Sequence, residues 1–230
     1  MGSMRLTRIA GAFTAVLWMV FSVTLIIWLT AGNGGYLADE MLKNAPPEVS
    51  RLPEAEYPGV ARMTAAYLTG REETFQYVFS DAEGNRFLCF QDHEAAHMAD
   101  CRELIRLAGT LRWVFGGLVL VLAGAGVLLR RHRTLADGVL AGLGTAGILF
   151  TGLVLWALAD FDGFFTAFHR VAFTNDGWLL DTRTDLLIRL MPEDFFVALG
   201  ARLLLWTAAA ALAAGTAAWA VRKKAAKKTA

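Results

Sequence analysis

Apolar residues are gathered into four long runs, and polar residues into two blocks between them. The runs cover residues 9–31, 113–129, 139–158 and 195–221. Each approaches or exceeds the roughly 20 apolar residues that a helix needs to cross a ~30 Å hydrocarbon core, so four transmembrane helices are expected. The first run outlasts the about 7–15 residues of a signal-peptide core and is expected to remain as an uncleaved anchor. The polar blocks are 32–112 and 159–194, with a short connection at 130–138 and a basic tail at 222–230. Met1-Gly2-Ser3 ahead of Met4 reads as the remnant of an expression tag, which leaves residues 1–8 as a short N-terminal arm.

Within the first block, residues 32–60 hold four of the five prolines, so an irregular loop is expected there. A short helix is expected over Val60 to Leu68. Two β-rich runs follow, Glu73 to Ser80 and Arg86 to Phe90, separated by Asp-Ala-Glu-Gly-Asn, which reads as a hairpin. From Asp92, a plausible N-cap, the period becomes helical, with Met98, Cys101, Ile105 and Ala108 as a modest apolar stripe leading into the second span. In the second block Phe161, Phe164, Phe165 and Phe168 recur at helical spacing and form a face suited to the headgroup region, with His169 beside it. Thr174 to Gly177 is turn chemistry, Asp181-Thr-Arg-Thr caps a short apolar helix, and Pro192 opens the last span.

Composition strengthens the membrane reading. Hydrophobic residues make up 56% of the 230 and the mean hydropathy is +0.44, with charge confined to separate blocks. The net charge of +1 is uninformative, but its distribution is not. Arg5 and Arg8 precede the first span, Arg130, Arg131 and Arg133 join the second to the third, and Arg222, Lys223, Lys224, Lys227 and Lys228 follow the fourth. Four spans put all three clusters on one face, which the positive-inside rule makes cytoplasmic. Of the 21 acidic residues only Asp137 falls on that side. The expected architecture is a mainly α membrane protein with four transmembrane helices and both termini cytoplasmic. A small extracytoplasmic domain of short helices and a β-hairpin is expected outside, too small for a deep core of its own. Trp28, Trp113 and Trp156 fall at the outer ends of their spans, as indoles at the headgroup level do. Gly138, Gly142 and Ala146 would let the third helix approach a neighbour closely.

Candidate chemistry sits in the polar blocks. His93, His97 and Asp100 share one helical face, which is either an ordinary solvated face or part of a site. His93-Glu94-Ala95-Ala96-His97 matches H-E-x-x-H, the zinc-protease pattern, with His169, Asp100 or Glu103 as a third ligand. That pattern fixes only three positions and arises often by chance, and no family-type third-ligand motif follows it. A non-catalytic membrane sensor or binding protein is a third reading. Cys89 and Cys101 both lie in the outer block, where a disulfide can persist if their backbones converge. Arg202, about two turns into the last span, either snorkels outward or faces the bundle interior.

The segment FHRVAFTNDGWLLDTRTDLLIRLMPEDFF resembles the lipoprotein intramolecular transacylase (Lit) family of bacterial membrane proteins, and FQDHEAAHMADCREL is similar to that family's second signature. With the order of spans, the resemblance covers nearly the whole chain. It implies transfer of the sn-2 acyl chain of an S-diacylglyceryl cysteine onto the α-amino group of the same N-terminal cysteine, giving a lyso-form lipoprotein. The family's two catalytic histidines map onto His97 and His169; His93 has no counterpart, which makes the zinc-like pattern accidental. On this reading His169 is the general base and His97 stabilises the oxyanion or returns a proton to the glycerol oxygen, although exchanging the two roles would alter no residue. Asp100 would fix the His97 tautomer, and Asn175 and Asp176 would join the two outer segments, contact glycerol oxygens or only make the turn. Phe168 and Trp178 would line the acyl-chain entrance or anchor at the interface rather than touch the reacting atoms, and Arg170 would meet a headgroup or solvent. No metal, nucleotide, nucleic acid or other cofactor is implied. The partners are a diacylated lipoprotein N-terminus and membrane lipids, at the outer face of the bacterial plasma membrane.

Overall fold

The computed structural model describes residues 2–81 and 83–227. Met1 of the presumed tag remnant, Ala82 of the hairpin turn and residues 228–230 of the basic tail lie outside the described residues. The chain is mainly helical, and four helices are long and apolar enough to cross a membrane: α1 (Gly2–Ala31), α5 (Asp92–Leu128), α6 (His132–Ala159) and α9 (Glu193–Lys227). Between them lie α2 (Gly34–Asn44), α3 (Pro47–Ser50), a 3-10 turn (Glu54–Glu56), α4 (Tyr57–Leu68), strands β1 (Val78–Ser80) and β2 (Arg86–Leu88), α7 (Phe161–Ala172) and α8 (Leu186–Leu190). The chain divides into two compact units. One comprises the chain up to Leu25, Thr110–Thr166 and everything from Leu204; the other is Ile26–Gly109 with Ala167–Leu203.

The first unit is made of helices and owes its packing to small residues. A Cβ placed on Gly142 would lie 2.6 Å from the Ala12 carbonyl oxygen, and Gly11 and Gly138 meet backbone to backbone. Thus α1 is the neighbour that the Gly138–Gly142 face admits, since only residues without side chains permit that approach. Trp18 Nε1 donates to the Ala210 carbonyl at 3.0 Å, tying α1 to α9. Large side chains such as Leu120, Ile148 and Leu158 point outward and stay exposed, as lipid-facing residues do. Arg130, in the left-handed conformation at φ 54°, ends α5, and α6 restarts at His132. Arg222, near the end of α9, pairs at 3.2 Å with Asp137, near the start of α6.

The second unit carries the polar blocks, and residues 32–60 are not an irregular loop. Asn33 Oδ1 accepts the Tyr36 N–H at 3.1 Å, capping α2, whose Leu37, Ala38 and Met41 are buried. The prolines sit at helix starts rather than inside helices: Pro47 begins α3 and Pro58 lies in the first turn of α4, where a missing N–H costs nothing. Proline count misled because it marks the boundaries between short helices as readily as their absence. Tyr57 ties this stretch together. Its hydroxyl meets Ser50 Oγ at 2.6 Å and bonds the Ala45 carbonyl, and its ring is buried.

The expected hairpin is present and shorter than its sequence signal. Val78 pairs with Leu88 and Ser80 with Arg86 in antiparallel register. Gln76 extends the pairing beyond the strands, with Nε2 donating to the Phe90 carbonyl at 2.7 Å and Oε1 accepting the Phe90 N–H at 3.1 Å. The core of this unit is deeper than expected because both polar blocks build it. Met41, Leu52, Val60 and Phe75 come from the first, and Leu186, Leu187 and Leu190 from the second.

Candidate functional site

Helix α5 is held at its start by one half of a capping box, the bond from the N3 carboxylate back to the N-cap N–H. The Gln91 carbonyl accepts the Ala95 N–H at 3.0 Å, and Glu94 Oε2 accepts the Gln91 N–H at 2.8 Å. Gln91, not Asp92, is therefore the N-cap. Glu94 is fully buried, and its other oxygen accepts the Leu187 N–H of α8 at 2.7 Å. A carboxyl group meeting two otherwise unpaired N–H groups joins the two blocks at a fixed register. The helix has 37 residues and is therefore about 55 Å long at ~1.5 Å per residue, far more than a ~30 Å core takes up. Its long apolar run begins only at Trp113, well beyond His97 and Cys101.

Three further contacts join the same pair of segments. His93 Nε2 lies 3.0 Å from Asp185 Oδ2, Gln91 Nε2 donates to the Thr184 carbonyl at 3.2 Å, and Asn175 Nδ2 donates to Asp100 Oδ2 at 2.9 Å. Asp185 is buried, and burial alone would raise its pKa. The bonds from His93, Thr184 and the Asp181 N–H outweigh burial and hold its carboxyl below the usual range. The same pairing raises the His93 pKa.

This stitching brings His97 of α5 against His169 of α7. Both are buried, at 8% and 6% exposure, and their ring centroids are 6.2 Å apart with planes tilted by 32°. Aromatic rings enclose them. Phe173 stands edge-on to His97 at 5.1 Å and tilted to His169 at 5.4 Å. Phe168 meets His169 edge-on at 5.3 Å, and Trp178 lies 4.9 Å from it. Phe168 and Trp178, expected to line the acyl-chain entrance or to anchor at the interface, both touch the His169 ring. Phe173 carries no distinguishing sequence signal beyond falling one helical turn after His169.

The two nitrogens of His97 have different surroundings. Nε2 lies 3.6 Å from Cys101 Sγ, while Nδ1 is buried and has no hydrogen-bond partner among the described residues. An unpaired buried polar atom costs ~1–3 kcal/mol, and such costs concentrate at sites that await a ligand. Burial, reinforced by the neighbouring His169 and opposed by Asp100, lowers the His97 pKa to about 4. The ring is accordingly neutral at physiological pH.

The remaining expected residues divide. Asp100 does not hold the His97 tautomer; its carboxylate is bound to Asn175, 75 residues away. Asn175 also closes its own turn by accepting the Gly177 N–H at 2.9 Å, so it joins the segments and makes the turn. Asp176 and Arg170 are exposed at the surface. Arg202 packs on the Tyr36 ring at 4.1 Å, with Nε donating to Thr30 Oγ1 at 3.3 Å. Cys89 and Cys101 are free thiols, and no disulfide joins them.

The H-E-x-x-H pattern does not assemble as a zinc site would. His93 turns to Asp185, His97 to Cys101, and Glu94 is sealed from water on two backbone N–H groups, which leaves it unable to serve as a base on a metal-bound water. Among the described residues no three His, Cys, Asp or Glu side chains converge with metal-binding geometry.

Comparison with known proteins returns one family and one fold. The family model described as lipoprotein intramolecular transacylase Lit matches residues 12–196. No match was found among curated proteins. The in meso structure of the integral membrane lipoprotein intramolecular transacylase Lit from Bacillus cereus superposes with a TM-score of 0.75 at 16% identity, covering 100% of this chain and 99% of that one. Structures of two of its variants, in which a histidine is replaced by arginine or by alanine, each give a TM-score of 0.71 at 16% identity. They cover 99% and 100% of this chain, and 95% and 97% of theirs. At that identity the likeness establishes a common fold.

Proposed function

Because the chain belongs to the lipoprotein intramolecular transacylase (Lit) family, we propose that it moves the sn-2 acyl chain of an S-diacylglyceryl cysteine onto the α-amino group of the same N-terminal cysteine. The observation that carries this reading is the buried, ring-enclosed pair of imidazoles 6.2 Å apart, one of them neutral.

The chemistry asks for one base and one donor. An α-amine has a pKa of about 7.7–8.0, so part of it is the free amine near neutral pH, and an ordinary imidazole at about 6.5 is matched to taking a proton from it as it reacts. The free amine nitrogen attacks the sn-2 ester carbon, an N–C bond forms, and the carbonyl electrons move to oxygen. As the bond forms the nitrogen becomes acidic, and His169 takes one of its two protons, leaving the N–H of the future amide. His97 is too weakly basic to act as an imidazolium acid at pH 7, so its part is that of a neutral N–H donor to the oxyanion. When the tetrahedral intermediate collapses, the C–O bond to glycerol breaks and the His169 imidazolium returns its proton to the glycerol oxygen. Mass is conserved and the product carries one chain on glycerol and one on nitrogen. Attack within one substrate makes effective molarities of about 10⁵ M or more attainable, which is why two imidazoles suffice.

Charge distribution supports placing the histidine unit on the extracytoplasmic face, with both termini cytoplasmic. Phe168, Phe173 and Trp178 exclude water from the pair and suit an acyl chain arriving from the bilayer. The test is incubation of the purified protein with a diacylated lipopeptide bearing a free N-terminus. Fragmentation mass spectrometry should find an acyl group on nitrogen at unchanged total mass. Folded protein that leaves the peptide unaltered would sink the reading.

A further inference from the structure

Cys101 lies one helical turn beyond His97 on α5, with Sγ 3.6 Å from Nε2. A thiol is a weak donor and its sulfur a weaker acceptor, whereas a neutral imidazole offers one nitrogen lone pair that accepts well. The favoured polarity is therefore S–H to Nε2. The thiol keeps its proton, since burial pushes its pKa up to about 12. An accepting Nε2 obliges the neutral ring to carry its proton on Nδ1, the nitrogen that is buried without a partner among the described residues. The carboxylate that could have claimed Nδ1 is engaged elsewhere, since Asp100 Oδ2 receives Asn175 Nδ2 at 2.9 Å.

We propose that Cys101 is a positioning residue that fixes His97 as its Nδ1–H tautomer, so that the donor His97 presents to a substrate acyl oxygen is Nδ1–H. The substrate half of this statement rests on the transacylase reading, and the tautomer half does not. A thiol suits the task at this buried position because it orients the ring without adding charge. A carboxylate there would raise the ring's basicity and draw it toward the cation.

The experiment uses the full chain in lipid nanodiscs, with ¹⁵N-labelled histidine and long-range proton–nitrogen correlation to read which nitrogen of His97 is protonated, assigned through His97→Asn. The wild type should show Nδ1 protonated and Nε2 unprotonated. Cys101→Ser, which keeps a hydroxyl donor, should preserve that pattern, and Cys101→Ala should give a mixture of tautomers. On the diacylated lipopeptide, Cys101→Ala should lower kcat about tenfold with KM within about twofold, the signature of a misaligned transition-state donor. Cys101→Ser should recover most of the rate, and Cys89→Ala should change neither measurement. A wild-type spectrum with Nε2 protonated overturns the proposal, even if every cysteine variant misfolds. So does a Cys101→Ala chain with unchanged tautomer and unchanged kcat. Wild-type protein inactive on the lipopeptide but with Nδ1 protonated would instead reject the reaction and leave the tautomer standing.

Discussion

Glu94 accepts the backbone N–H of Leu187 at 2.7 Å across 93 residues of sequence. Its other oxygen caps its own helix at Gln91, and the side chain has no exposed surface. Removing it strands two N–H groups, at a cost of about 1–3 kcal/mol each. Glu94→Ala should therefore lower stability by roughly 3 kcal/mol, readable as a clear drop in thermal unfolding temperature in detergent. A metalloprotease base would behave differently, because its loss would abolish activity and leave the unfolding temperature in place.

Replacing either histidine should affect the reaction far more than the fold. His169→Ala removes the base and should reduce isomerisation about 10²–10⁴-fold, with the unfolding temperature nearly unchanged. At His97 the replacements should differ. Asparagine places its amide nitrogen near the Nδ1 position and glutamine near Nε2, so His97→Asn should retain more rate than His97→Gln. Equal rates for the two variants would contradict an Nδ1–H donor.

Acid should act in opposite senses on two histidines one turn apart near the start of α5. His97 has a folded pKa of about 4 against an ordinary value near 6.5, so the unfolded chain binds a proton through that interval while the folded chain does not. Stability from this group falls as pH drops from about 6.5 to 4. His93, raised by Asp185, contributes stability that is full below its unfolded pKa and fades as pH climbs through the raised value. Asp185, held low, loses its share only in stronger acid, as pH falls through its depressed value. Unfolding measured between pH 4 and 7 should show a shallower acid decline in His97→Asn and a steeper one in His93→Ala.

What the sequence made legible follows the range of each interaction. The four spans rest on runs of apolar residues, and the hairpin on two β-rich stretches around a turn, so both can be read locally. The α2 helix was hidden because its Leu37 and Met41 face gives a short signal beside four prolines, which mark helix starts here. His97 and His169 emerged from a family pattern, since nothing in spacing pairs residues 72 positions apart. Asp100 was assigned to His97 because both lie on one helical face. A partner 75 residues away claimed it, and only tertiary packing reveals that Cys101 takes the local position instead. Glu94 belongs to a pattern shared with zinc enzymes, and its burial on two backbone N–H groups makes it a brace.

The Asp100–Asn175 bond offers a way to separate alignment from stability. Asn175 is exposed and Asp100 half-exposed, so their hydrogen bond contributes little to folding, within about 1 kcal/mol. It nevertheless fixes the segment just beyond His169 to the helix that carries His97, and a shift of about 1 Å at a reacting pair can cost 10²-fold in rate. Asn175→Ala and Asp100→Ala should each unfold within a few degrees of the wild type while lowering kcat on the lipopeptide at least fivefold. The double variant should lose no more than either single one, because both remove the same bond. Fully additive rate losses would mean that Asp100 and Asn175 act separately, and that the two segments are aligned by the contacts of Glu94, His93 and Gln91.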